Sequence, residues 1–249
     1  MRYPPLLAYA RFQLGDYLLR RASVALLMVV FMAGLPLWGM LRGQPDLFKN
    51  PSSAVLAMQL YTGTVALFLP IGAFLAGAGI ISADRHQGFF RFYFSKPVNV
   101  VAYYVQTYLL RGIVFIALFG ALTWGWGALT IHVSVHRAME AAALTFVLVG
   151  GLGLLFSVLL RFDGLLLVLV YLVSMTLQQI VSLAGKPRLP EWAVQLAKVL
   201  PPVYRMDQVR NHLYAAEAIS AADVWYVVGY GIGAFALGLF LLRKLALSR

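Results

Sequence analysis

His132 and His136 stand one helical turn apart, the spacing at which a helix offers two imidazoles to one metal ion. Read without a carboxylate or cysteine to complete the set, they are polar residues at the end of a membrane span, and no metal site is expected; His86 and His212 are isolated. Gly185-Lys186 has the ending of a phosphate loop, but Ile180 stands where its first glycine belongs and Pro187 where Ser or Thr must hold magnesium. The chain is therefore not expected to hydrolyse ATP by itself, and no cofactor or catalytic residue is assigned. No G-x-S-x-G elbow positions a serine nucleophile. The densest polar and aromatic chemistry lies in one segment, ISADRHQGFFRFYFSKP, from Ile81 to Pro97. It offers Asp84, Arg85, His86, Gln87 and Arg91 for recognition, beside Phe89, Phe90, Phe92 and Phe94, too many aromatics for a merely solvated loop.

The element delivering that segment is a charge-free run from Asn50 to Ala83. Hydrophobic residues make up 61% of the 249 positions and charged residues 12%, against about 45–50% and about 25% in soluble domains. A bilayer core about 30 Å thick needs about 20 apolar residues in helical form, because a helix satisfies its own backbone. The expected class is all-α, a polytopic membrane protein forming one domain over residues 1–249, with six transmembrane helices. These are placed at Ala22–Leu41, Ala54–Ile81, Gly112–Ile131, Ala141–Leu160, Gly164–Gly185 and Val224–Leu242. The uninterrupted runs do not alternate as β-barrel strands would. Pro4, Pro5 and Asp16 sit where a cleavable signal would have its apolar core, so the first span is expected to persist.

In these spans no Asp, Glu, Lys, Arg or His falls clearly inside; Arg111, Glu140, Arg161 and Asp163 are placed at span ends. That argues against a proton relay, a sodium-coupled carrier or an intramembrane metalloprotease, and against a simple ion as cargo. Gln59, Gln178, Gln179, Ser174 and Ser182 read as interhelical hydrogen-bonding residues. Small residues four apart, Gly229 with Gly233, Ala234 with Gly238 and Ala73 with Gly77, read as close helix packing.

Of the twenty Lys and Arg, twelve fall on the side carrying both termini and the loop after the second span, with three acids; eight fall opposite, with six acids. The first side is expected to be cytoplasmic. Anionic lipid and this topology account for the net charge of +11, so no nucleic-acid partner is expected. The chain has no cysteine, so single cysteines introduced at Gln87 and Gln195 should label from opposite faces of the membrane. Labelling from the same face would overturn the six-span topology.

Residues 1–21 read as an amphipathic helix in the interface, with Leu6, Leu7, Ala10, Leu14, Tyr17 and Leu18 on one face. Between the fifth and sixth spans, residues 186–223 read as an external helical hairpin. LPEWAVQLAKVLPP sets Trp192, Leu196 and Val199 at helical spacing and ends in Pro-Pro; a second helix follows over roughly Arg205–Ala216.

This order of elements resembles the type 2 ABC-transporter permeases, the membrane subunits of many bacterial exporters. In the loop of residues 82–100, Asp84 and Arg85, then Gly88, then an apolar run ending at Pro97, are similar to that family's acid, base, glycine and closing proline. Asp84 stands where glutamate is commoner and Phe89 where a small threonine is frequent. The resemblance implies a cytoplasmic coupling helix, with Asp84, Arg85, His86, Gln87, Gly88, Phe89, Phe90, Arg91 and Pro97 as ATPase-coupling residues. It implies ABC ATPase subunits that bind ATP and Mg, a second permease copy or paralogue, and surrounding membrane lipid as partners. A hydrophobic, amphipathic or peptide-like substrate would be exported. The rival reading is a mechanotransmission subunit that moves an extracytoplasmic partner without transport.

Overall fold

The computed structural model describes residues 14–15, 51–82, 84, 99–129, 133–160, 163–183, 190–215 and 217–247. Seven helices of nine residues or more lie among them: α1 Pro51–Gly77, α2 Val100–Leu129, α3 Val135–Leu159, α4 Asp163–Leu183, α5 Glu191–Val199, α6 Val203–Ala215 and α7 Ala221–Leu247. Among the described residues there is no strand. The first span, Ala22–Leu41, and the interface helix, apart from helical residues 14–15, lie outside the described residues.

Five helices, α1, α2, α3, α4 and α7, are long and apolar enough to cross a membrane, and the architecture is that of a membrane-embedded protein. They correspond to the second through sixth spans read from the sequence. The largest difference is in α2, which begins at Val100, well before Gly112. Asn99 starts it, its side-chain oxygen accepting the Ala102 N–H at 3.2 Å in the manner of an N-cap. The added turns bury Tyr103, Tyr104 and Tyr108, and the Tyr108 ring lies 4.9 Å from Phe146 and 4.4 Å from Phe235. Arg111 is consequently inside a helix and not at its end, a correction to the placement of charged residues. Pro70 lies within a continuous α1.

Helix α3 is the hub, packed on α7, α2, α1, α4 and α6. Its apolar window is 67% buried, whereas that of α4 is 11% buried and faces outward. Without a hydrophobic drive between helices in lipid, close backbone approach must supply the packing. The sequence Gly150-Gly151-Leu152-Gly153 on α3 permits it. A Cβ at Gly153 would stand 2.7 Å from the Gly77 carbonyl oxygen of α1, and one at Gly151 would stand 2.3 Å from the Gly231 carbonyl oxygen of α7. Of the small-residue pairs singled out in the sequence, Gly77 and Gly238 make such contacts, but Gly229 and Gly233 face open space.

Helices α5 and α6 occupy the segment read as an external hairpin, and both pack against α4. The α5 C-terminus and following turn expose carbonyls with no helical partner, and side chains from two spans receive them. Gln178 Nε2 of α4 donates to Ala197 O (3.1 Å) and Pro201 O (2.8 Å), and its Oε1 accepts from Tyr204 N at 3.0 Å. From α7, Tyr226 and Tyr230 hydroxyls donate to Lys198 O (3.3 Å) and Val199 O (3.1 Å). On α5, Ala193 and Ala197 are the buried residues, while Trp192, Leu196 and Val199 form an exposed face.

Candidate functional site

At the opposite end of the bundle from the hairpin, the chain leaves α1 for the segment rich in Arg and Phe through a turn held on every side. Gly79 takes φ of 67°, a left-handed conformation that glycine adopts without a Cβ clash. The turn redirects the chain while Ile80 and Ile81 remain buried, at 2% and 0% exposure.

Three helices then fix this root. From α4, the first residue, Asp163, accepts the Gly79 N–H at Oδ2 (2.7 Å) and the Ser82 hydroxyl at Oδ1 (3.0 Å). Its carboxylate is also placed at a helix N-terminus, where the macrodipole favours negative charge. From α3, Ser157 Oγ accepts the backbone N–H groups of Ile81 and Ser82, each at 2.8 Å. From α2, Arg111 Nη1 donates to Ala78 O (3.2 Å) and Ala76 O (3.4 Å), bringing a cation to the C-terminal carbonyls of α1. One step further, the Tyr104 hydroxyl donates to Asp84 Oδ2 at 3.1 Å.

Asp163 and Ser82 are 6% and 5% exposed, and Ser157 is fully buried. Buried donors left without acceptors cost about 1–3 kcal/mol each, so this network ties the root to α2, α3 and α4 together. It is a polar joint that ties the loop root to three helices.

Of the coupling residues read from the sequence, the structure places Asp84 and joins it to Tyr104. Arg85, His86, Gln87, Gly88, Phe89, Phe90, Arg91 and Pro97 lie outside the described residues. Ser82, Tyr104, Arg111, Ser157 and Asp163 were not assigned a role by sequence reasoning. For Arg111 and Asp163 a signal existed: an ionisable residue beside a span is costly unless partnered. A serine among apolar neighbours, such as Ser157, carries no comparable mark.

The histidine reading also changes. Glu140 lies one turn beyond His136 on α3 and takes its Nε2 at 3.1 Å, so a carboxylate does neighbour it; His132 lies outside the described residues. Among the described residues no group of three His, Cys, Asp or Glu is arranged to hold a metal. No protein-family model matches the chain, and no curated protein does.

Proposed function

We propose that the chain is the permease subunit of an ATP-binding-cassette exporter, driven by separate ATPase subunits that dock on Asp84–Arg91. The observation that carries this reading is the joint at residues 76–84, where Asp163, Ser157, Arg111 and Tyr104 tie the loop root to α4, α3 and α2. A permease without its own ATPase must receive force through a stiff protrusion, and a loop rooted in three helices transmits displacement into the bundle. Two permease copies or paralogues would face each other in a bacterial inner membrane, with both termini cytoplasmic. Arg111, though inside α2, has its guanidinium on α1 carbonyls, which agrees with cargo other than a simple ion.

Charge reversal tests it. Arg85→Glu with Arg91→Glu removes the electrostatic match to the partner, at a cost of about 2–5 kcal/mol for buried pairs. The permease should still insert, yet lose its co-purifying ATPase subunits or the substrate-stimulated part of their turnover. Gly88→Pro breaks a backbone bond in the docked helix, costing about 3 kcal/mol, and should uncouple hydrolysis from export. If both variants assemble and export normally, the segment does not couple the subunits.

The exposed face of Trp192, Leu196 and Val199 on α5 favours the second reading, mechanotransmission to an extracytoplasmic partner. ATP-driven flux in vesicles that hold only permease and ATPase separates the two.

A further inference from the structure

Among the described residues three tryptophans are exposed: Trp124 at 68%, Trp192 at 67% and Trp225 at 72%. All three lie at the end of the bundle that carries α5 and α6. Trp124 is in the last two turns of α2, whose other end reaches the joint through Tyr104. Beside it, Thr123 is hydrogen-bonded to Tyr61 of α1, and the Tyr61 ring meets Tyr214 of α6 edge-on at 5.8 Å. Trp225 is in the first two turns of α7, where Asp223 pairs with Arg205 of α6 at 3.2 Å. After Asp223, α7 carries no charged residue until Arg243. A tryptophan beside the last charge of a span marks the level at which lipid gives way to water, because its ring is apolar and its N–H is polar.

The third tryptophan is on α5. Residues three and four apart share a face of a helix, and α5 divides into three strips. Ala193 and Ala197 are buried, and the helix packs on α4. Trp192, Leu196 and Val199 form an apolar strip that is 67%, 42% and 71% exposed. Glu191, Gln195 and Lys198 form a polar strip, also exposed. At about 3.6 residues per turn the two exposed strips stand about a quarter-turn apart. A helix surrounded by water turns its large apolar residues inward; α5 turns small alanines inward and its large apolar residues out. The Tyr226 and Tyr230 hydroxyls donate to Lys198 O and Val199 O, which holds α5 beside the part of α7 that carries Trp225.

We propose that α5 lies in the membrane–water interface at this end of the bundle, with Trp192, Leu196 and Val199 in lipid and Glu191, Gln195 and Lys198 in water. Continuity selects lipid as the occupant. The apolar strip adjoins α7, whose Ile232, Leu237 and Phe240 are about half exposed, and α4, whose apolar window is only 11% buried. Separate apolar and polar faces are what a helix lying in the interface plane requires. The inference goes beyond the export reading and does not rest on it. A strip in lipid is not open to an extracytoplasmic protein, so this occupant counts against mechanotransmission.

The test is nitroxide scanning of the full chain in phospholipid vesicles. The chain has no cysteine, so one introduced cysteine carries one label. The six positions of the two strips are exposed, and labels there displace no packed side chain. Oxygen concentrates in lipid, and the nickel chelate NiEDDA stays in water. Labels replacing Trp192, Leu196 and Val199 should collide more with oxygen than with the chelate, as should a control replacing Ile232. Labels replacing Glu191, Gln195 and Lys198 should show the reverse. In the cysteine-free chain, Trp192→Phe should lower the share of tryptophan fluorescence that phospholipid brominated on its acyl chains quenches. If the chelate reaches all six positions alike, the strip is in water and the proposal fails. Immobile labels on the apolar strip that neither reagent reaches would mean that a protein, a partner or a second copy, covers it, and the lipid assignment fails. A quenched share unchanged by Trp192→Phe also overturns it.

Discussion

Gly231→Val should dismantle the bundle, whereas Gly229→Val and Gly233→Val, one turn-fraction to either side on the same helix, should leave it standing. A Cβ at Gly231 would stand 2.4 Å from the Val147 carbonyl oxygen and 2.9 Å from the Leu148 Cα. Both are backbone atoms of the central helix α3 and have no rotamer through which to yield. Overpacking a close-packed interior ordinarily costs about 1–3 kcal/mol. Here relief requires α7 to move off α3, which would also separate Gly151 from Gly231. At Gly229 and Gly233 an added Cβ meets nothing within 4 Å. The measurement is the monodisperse fraction and melting temperature after detergent extraction. The expected result is loss of both for Gly231→Val and near wild-type values for the other two. If Gly229→Val or Gly233→Val instead splits an oligomer while the protomer stays folded, that face of α7 is a subunit interface.

Asp163→Ala should leave the spans inserted but free the loop from the bundle. It removes both carboxylate oxygens that Asp163 supplies to the joint, leaving the Gly79 N–H and the Ser82 hydroxyl buried without these partners, at about 1–3 kcal/mol each. Asp163→Asn should fall between, since one amide oxygen still accepts but the amide nitrogen faces a second donor. Ser157→Ala removes the acceptor of two further N–H groups and should resemble Asp163→Ala. Under the permease reading these variants bind the ATPase subunits and hydrolyse ATP, but export per ATP falls steeply. Thermal melting with and without the partner checks the structural half, and paired flux and hydrolysis measurements check the coupling half. Export per ATP unchanged in Asp163→Ala and Ser157→Ala would mean that the joint transmits nothing.

How much of this was legible in the sequence follows from the range of the forces involved. Membrane class, the positions of four of the five apolar helices to within about six residues, and a short helix ending before Pro201-Pro202 follow from composition and local pattern. Each segment answers to lipid or to its own backbone independently of its neighbours. The start of α2 was misplaced because aromatic and polar residues around Tyr103–Thr107 dilute the apolar signal, while Tyr103, Tyr104 and Tyr108 are nonetheless buried, Tyr108 against Phe146 of α3 and Phe235 of α7. The joint was not legible as a site: Ser82, Arg111, Ser157 and Asp163 are spread over about a third of the chain's length and meet only once α1, α2, α3 and α4 are packed. Nor could spacing distinguish Gly231, in contact with α3, from Gly229 and Gly233, which face away, since rotation of α7 about its axis is set by its partner. That this chain is helical and membrane-embedded follows from composition alone, because the cost of an unsatisfied backbone in lipid is a local matter. Which polar groups pair, as Asp163 does with Gly79 and Ser82, is set by tertiary packing, because hydrogen bonds act over about 3 Å and the residues that make them are brought that close by packing alone.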